Sequence, residues 1–195
     1  LKEKVLVISN KFLNFEPGQS PIGRPDDWKE YFEQQSFYMY RDQAETDLDF
    51  RQIIPYVLVK NSKNEYLTYR RTSHGGEERL HHKLSIGVGG HVNFGDARKN
   101  PVLEGLYREM KEEIGLTQDQ YSWEWIGFLM LSKTEVDKVH LGLIFEVLCD
   151  TIGDVENCLE IVGWFSKEEL KTMQQSNEFE SWSEAIINGQ ISGIF

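Results

Sequence analysis

The sequence predicts an α/β protein with a mixed sheet and helices on both faces. Three observations carry this. Short apolar runs rich in Val, Ile, Tyr and Phe recur before, between and after segments of helical character. One helical segment, ending Arg108-Glu109-Met110-Lys111-Glu112-Glu113-Ile114-Gly115-Leu116, carries start and stop signals at its two ends. The length, 195 residues, is close to that of one domain.

Taken in order, Val5-Leu6-Val7-Ile8 reads as a short strand. Residues 10 to 23 hold Pro17, Gly18, Pro21 and Gly23 and form a loop. Asp26-Asp27-Trp28 opens a helix running to about Gln34, and residues 41 to 49 are polar and acidic. Ile53 to Lys60 is an apolar strand. Pro55 inside it predicts an edge position or a bulge, because proline cannot donate to a ladder. Asn61-Ser62-Lys63-Asn64 is a turn and Tyr66 to Arg71 returns as a strand, making a hairpin. Ser73 to Lys83 is a charged loop, and Leu84 to Val88 leads into Gly89-Gly90. Gly95-Asp96 reads as a turn. A helix starts near Pro101, a residue favoured in the first turn, and stops at Gly115, where a left-handed cap is wanted. Trp123 to Leu131 and Val139 to Leu148 are strands, as is Glu160 to Phe165. Ser166 with Glu169 forms a capping box for the next helix, and Ser181 to Asn188 is the last one. There is no internal repeat. The division is a single domain, 1–195, with 1–50 an N-terminal extension packed on a core of about 51–175.

Composition narrows the function. The net charge of −11 argues against a general nucleic-acid coat or an anionic-membrane binder, since both need basic surface. A nucleotide substrate remains compatible, because a bound metal reverses the local field. Two cysteines, Cys149 and Cys158, make no disulfide framework and read as reduced thiols of a cytoplasmic protein. The N-terminus shows no apolar stretch of signal-peptide length, and the most apolar run, Leu141 to Leu148, is too short to span a bilayer.

The chemistry sits on the helix before Gly115. Glu109, Glu112 and Glu113 fall three and four residues apart and share a face. Taken alone, such a charged run is ordinarily a solvated face. The Gly89-Gly90 pair upstream alters that reading, because glycine is used where backbone must approach a ligand closely. Paired carboxylates beside such a loop suit a hard divalent cation that bridges to phosphate oxygens.

These residues resemble the Nudix box, whose pattern is Gly-x5-Glu-x7-Arg-Glu-U-x-Glu-Glu-x-Gly-U, with U aliphatic. Gly90 matches the first glycine, and Arg108, Glu109, Met110, Glu112, Glu113, Gly115 and Leu116 match the second half without a gap. Asp96 stands where the family has Glu, and eleven residues separate it from Arg108 where the family has seven. Residues 160 to 170, with Gly163-Trp164-Phe165, also resemble the family's usual ending. The resemblance implies an α/β/α sandwich around a mixed β-sheet. It implies a metal-dependent hydrolase that cleaves the phosphoanhydride of a nucleoside diphosphate linked to another moiety, or of a related diphosphate. The cofactor is then Mg²⁺ or Mn²⁺.

By that resemblance the metal ligands are Glu109, Glu112, Glu113 and the carbonyl of Gly89, and Arg108 orients a box carboxylate. A further carboxylate from outside the box serves as base or ligand, with Glu160 first choice, Glu156 second and Glu135 third. Arg70, Arg71, Arg79, Lys83 and Lys133 are candidate phosphate contacts, and His91 and His140 candidate cleft residues. Tyr56, Tyr69 and Phe94 are weighed as base-stacking groups against the commoner core role. The histidines lack zinc spacing: His81 and His82 are adjacent and no Cys lies near. The partner is a small diphosphate, and a homodimer stays open. Two alternatives on the same scaffold are an isopentenyl diphosphate isomerase-like enzyme and a non-catalytic nucleotide-binding module. The first needs a Cys and a Glu poised about an alkene, and neither Cys149 nor Cys158 lies in a cleft-like sequence context. The second would tend to lose the box carboxylates, which are all present here.

Overall fold

The structure is a computed structural model that describes residues 2–13, 17, 28–72, 82–97 and 100–190. In chain order the elements are β1 (Lys4–Ser9), α1 (Trp28–Gln35), β2 (Ser36–Tyr40), α2 (Arg41–Ala44), β3 (Phe50–Lys60), β4 (Tyr66–Arg71), β5 (Leu84–Ser85), β6 (Gly87–Gly89), α3 (Pro101–Ile114), β7 (Ser122–Leu129), α4 (Glu135–Lys138), β8 (His140–Leu148), β9 (Leu159–Phe165), α5 (Lys167–Met173) and α6 (Ser181–Ile187). The strands join in one mixed sheet in which β3 is central. It pairs parallel with β8 and antiparallel with β1 and β6, while β7 pairs with β8, and β5 and β9 with β4. Residues 36–40, which carry no strand signal read above, form β2 by pairing with β1.

Strand alternation sorts the side chains onto two faces. Ile53, Val57 and Val59 of β3 join Leu141, Leu143, Phe145 and Val147 of β8 in one core, under Trp28 and Phe32 of α1 and Val102, Leu106 and Met110 of α3. Ile54, Tyr56 and Leu58 join Ile144 in the other core, under Leu170 of α5 and Trp182, Ala185 and Ile186 of α6. Helices therefore cover both faces, and the expected α/β/α architecture holds. Each fully buried aliphatic contributes about 1.5–3 kcal/mol, so neither layer is dispensable. Gly142 lets α6 approach closely, since a Cβ there would lie 2.8 Å from Trp182 Cζ3.

One expectation is overturned. β3 is not an edge strand, although Pro55 lies in its middle. The Gln52 N–H donates to the Val139 carbonyl at 2.7 Å, so even-numbered N–H groups of β3 point toward β8. Position 55 points the other way. There the pairing of β3 with β1 has stopped at Gln52, and its pairing with β6 starts only at Tyr56. Proline thus sits in a gap between two neighbours and removes no ladder bond.

That gap is where the box loop leaves the sheet. The Leu6 N–H donates to the Val92 carbonyl at 2.8 Å across it. α3 starts as expected: the Asn100 side chain accepts from the Leu103 N–H at 3.1 Å, with Pro101 in the first turn. It ends at Gly115, whose φ of 68° is left-handed. Among the described residues, no helix is long and apolar enough to cross a membrane.

Candidate active site

α3 buries Val102, Leu106, Met110 and Ile114 against the sheet, which turns the flanking positions 109 and 113 toward the Gly89-Gly90 loop. A cavity of about 360 Å³ opens there. Gly89, Gly90, His91, Glu109 and Glu113 line it, with Arg71 from β4 and Glu156 and Cys158 from the segment before β9. A Cβ on Gly90 would lie 2.5 Å from Glu109 Oε1, and one on Gly89 2.0 Å from the Pro55 carbonyl oxygen. Both glycines are needed for this close approach.

Arg108 is the organising cation. Its Nη1 donates to Glu109 at 2.7 Å and to Glu112 at 2.9 Å. Nη2 donates to the His91 carbonyl at 2.7 Å and to Asp96 Oδ2 at 3.0 Å, while Nε donates to Asp96 Oδ1 at 3.1 Å. Asp96 Oδ2 also accepts from the Asn93 N–H at 2.8 Å. Burial works against the guanidinium charge, but Asp96 and Glu109 outweigh it and hold Arg108 firmly protonated.

The buried carboxylates are held less comfortably. Burial raises the Glu109 pKa, with Arg108 opposing. Burial pushes Glu113 up to about 8; Arg71 and the Gly89 N–H oppose, and the like charges of Glu109 and Glu156 add. Arg71 approaches Glu113 only to 3.8 Å, too far for a hydrogen bond that would settle the charge. Glu113 Oε2 is buried and has no hydrogen-bond partner among the described residues.

No family profile matches the chain. Protein YmaB of Bacillus subtilis (strain 168) is 36% identical over 157 residues, which are 77% of this chain and 76% of YmaB. In structure the chain resembles Tm1382, a proposed Nudix hydrolase, with a TM-score of 0.77 and 27% identity over 97% of this chain and 98% of that one. The chain belongs to the Nudix hydrolase family. The fold is shared more distantly with the NUDIX domain of Shewanella oneidensis NrtR, solved with ADP ribose, at a TM-score of 0.52 and 10% identity over 71% of this chain and 84% of that one.

Within this Nudix chain the structure gathers most of the residues singled out above. Glu109 and Glu112 converge on one nitrogen of Arg108, and Glu113 lies one turn on at the cavity wall. Glu112 is the outer member, its side chain 56% exposed. Among the described residues, no three His, Cys, Asp or Glu side chains surround a single point at metal-ligand spacing. Arg108 accounts for this locally, because it occupies the space between Glu109 and Glu112. The donor set still fits a hard divalent cation: all the groups are oxygens, two are buried carboxylates with raised pKa, and Glu113 Oε2 lacks a partner.

Other candidates separate. Glu160 is exposed opposite Arg70 on the β4–β9 ladder and does not line the cavity; Glu156 does. Glu135 is also outside, paired with Lys138 at 2.6 Å. Arg71 lines the cavity, whereas Arg70 turns to the His82 carbonyl at 2.9 Å. Lys83 and Lys133 pair with Glu178 and Glu184. Arg79 lies outside the described residues, as does most of the charged loop around it.

His91 and His140 both line the cavity, with 3.3 Å between their Nε2 atoms. His140 Nδ1 lies 2.6 Å from the Val136 carbonyl, which fixes it as the donor and leaves Nε2 to accept from His91. Burial, then His140, Arg41 and Arg108, hold His91 well below its ordinary pKa. Arg51 secures this corner by donating through Nη1 to the carbonyls of Leu131, Asp137 and His140.

Three features were not legible beforehand. Glu3 and Arg41, hydrogen-bonded at 2.9 Å, bring the N-terminal segment to the cavity wall. Glu180 lines it from the C-terminal side. Cys158 also lines it, contrary to the expectation from its sequence context, because the segment before β9 is bonded to the end of α3, the Glu156 N–H donating to the Glu113 carbonyl at 2.9 Å. The Cys158 thiol donates to Glu156 at 3.1 Å, and burial with that bond pushes it up to about 12. A Cys and a Glu bonded to one another are not poised on two sides of an alkene, so the isomerase alternative gains nothing. Tyr56 and Tyr69 are core residues, while Phe94 is 61% exposed.

Proposed function

We propose that the protein hydrolyses the phosphoanhydride bond of a small diphosphate, a nucleoside diphosphate linked to another moiety or a related compound. Mg²⁺ or Mn²⁺ is the cofactor, held by Glu109, Glu112, Glu113 and the Gly89 carbonyl. The observation that carries this reading is the buried, unpartnered Oε2 of Glu113 in a cavity that it shares with Glu109. Two buried carboxylates with raised pKa and a free acceptor atom are costly unless a cation completes them.

A bound divalent cation neutralises phosphate oxygens and makes a water more acidic. The chain's own residues do the rest. Arg108 orients Glu109 and Glu112 through one shared nitrogen. Arg71, with Nε buried and unpaired among the described residues, offers donors to a phosphate oxygen. Glu156 takes the proton of the attacking water, the role first assigned to Glu160, because it is the one of the two that reaches the cavity. The water oxygen bonds to phosphorus as the anhydride P–O bond breaks, and the departing phosphate leaves as an anion. His91 and His140 line the substrate cavity, and His91 is held without charge by its burial. Two free cysteines support a reducing, cytoplasmic setting.

The test is a panel of nucleoside triphosphates, dinucleotides, nucleotide sugars and non-nucleotide diphosphates, assayed with Mg²⁺ and with product identification. Cation-dependent release of a phosphorylated product from at least one class is expected. Release that persists in EDTA, or none from any class, overturns the proposal.

A further inference from the structure

A second polar cluster lines the same cavity and takes no part in the box. Glu180, just before α6, is buried to 7% exposure. Its Oε1 lies 2.5 Å from the Tyr56 hydroxyl, 2.5 Å from that of Ser85 and 3.1 Å from that of Ser183. Its Oε2 receives no hydrogen bond from a described residue. No Lys or Arg among the described residues makes an ion pair with it, and Arg71 acts on it only over a longer distance. Three hydroxyls thus saturate one oxygen, fix the carboxylate plane and leave the other oxygen for something else. A carboxylate buried without a cation persists only when its hydrogen bonds are completed.

Beside it, Trp182 lines the cavity with its indole Nε1–H buried and unpartnered among the described residues. The benzo edge of the indole packs on Gly142, so the nitrogen lies on the opposite edge of the ring. Tyr56, in edge contact with Trp182 at 5.4 Å, and Ile54 complete the wall. The ensemble offers one fixed acceptor and one fixed donor between flat, mostly apolar surfaces. A phosphate is excluded, because Glu180 would repel it. A sugar ring is a poor match for two groups of opposite sense between planar walls.

The geometry points to a base-reading subsite. Glu180 Oε2 accepts a hydrogen bond from an exocyclic amino group of a nucleobase, and Trp182 Nε1 donates to the neighbouring unprotonated ring nitrogen. The substrate is then a nucleotide whose base carries an amino group at that edge, recognised apart from the diphosphate. This rests on the reading of the cavity as a diphosphate hydrolase site.

The test uses pairs of nucleotides that differ in one exocyclic group and in the proton on the ring nitrogen beside it, cytidine against uridine and adenosine against inosine. Their non-hydrolysable methylene diphosphates are titrated calorimetrically in Mg²⁺, and the ordinary diphosphate derivatives are assayed for turnover. The amino-bearing member of at least one pair binds about 10- to 100-fold more tightly, the weight of a hydrogen bond to a charged acceptor. Glu180→Gln erases or reverses that preference through KM. Trp182→Phe weakens the amino-bearing member, whose ring nitrogen accepts, and spares its partner, whose ring nitrogen carries a proton. If Glu180→Gln fails to fold by circular dichroism, the wild-type preference and Trp182→Phe decide. Equal affinity within both pairs, a preference untouched by either variant, or no nucleotide binding overturns the subsite. Turnover without preference overturns the subsite and leaves the hydrolase reading standing. A preference in binding with no turnover of any member does the reverse.

Discussion

Arg108 holds Asp96 by two parallel hydrogen bonds, Nε to Oδ1 at 3.1 Å and Nη2 to Oδ2 at 3.0 Å. The family pattern puts seven residues between these positions and this chain has eleven, yet the contact is made. It is made because the turn Phe94–Asp96 is closed on itself: the Asn93 N–H also binds Asp96. The turn that holds Asp96 is complete before the extra residues begin. Asp96 is thereby committed to Arg108 and does not line the cavity.

Asp96→Asn is expected to cost stability and only a modest part of the rate. It removes the charge of a largely buried, two-bonded partner, worth about 1–3 kcal/mol. Unfolding midpoint and kcat measured side by side with Glu112→Gln check this. Near-total loss of kcat at unchanged stability would place Asp96 among the metal ligands.

Glu109→Gln and Glu112→Gln should each lower kcat by orders of magnitude while the fold persists. Each loses a charge and almost no volume. Glu109→Gln should also raise the unfolding midpoint of metal-free protein, since burial already disfavours that carboxylate. Near-wild-type rates in both variants would remove the box helix from the mechanism.

Activity should vanish in EDTA and return with Mg²⁺ or Mn²⁺, because every assigned ligand is an oxygen. Rescue by Zn²⁺ alone would instead indicate a nitrogen or sulfur site, with the His91–His140 pair the place to look.

The stability of metal-free protein should fall as pH rises from about 4.5 to about 8 through Glu113. Burial raises its folded pKa to about 8 from the ordinary 4.5. Between these values the folded state binds the proton and the unfolded state does not, so raising pH favours unfolding. Denaturant midpoints across this window, with and without Glu113→Gln, check this dependence. A wild-type slope identical to that of the variant would show that Glu113 ionises normally.

Gly90→Ala should impair turnover more than stability. The new Cβ would meet Glu109 Oε1 at 2.5 Å, and the flexible carboxylate is what yields. A variant with wild-type kcat would show that the position of Glu109 at the loop is not critical.

Much of this was legible in local sequence. The limits of α3, the shared face of Glu109 and Glu113, the hairpin after β3 and the cap of α5 depend on residues a few positions apart, and helix and turn chemistry act at that range. Tertiary structure alone decided what depends on distant partners. Pro55 looks like an edge residue until β1 and β6 are seen to leave a gap beside it. Glu156, and not Glu160, reaches the cavity because residue 160 is exposed on the β4–β9 ladder while the segment before β9 is hydrogen-bonded to the end of α3. Glu180, Arg41 and Glu3 carry no motif. Each is separated from the box in sequence and becomes part of its cavity only when the sheet brings the two ends of the chain to one place.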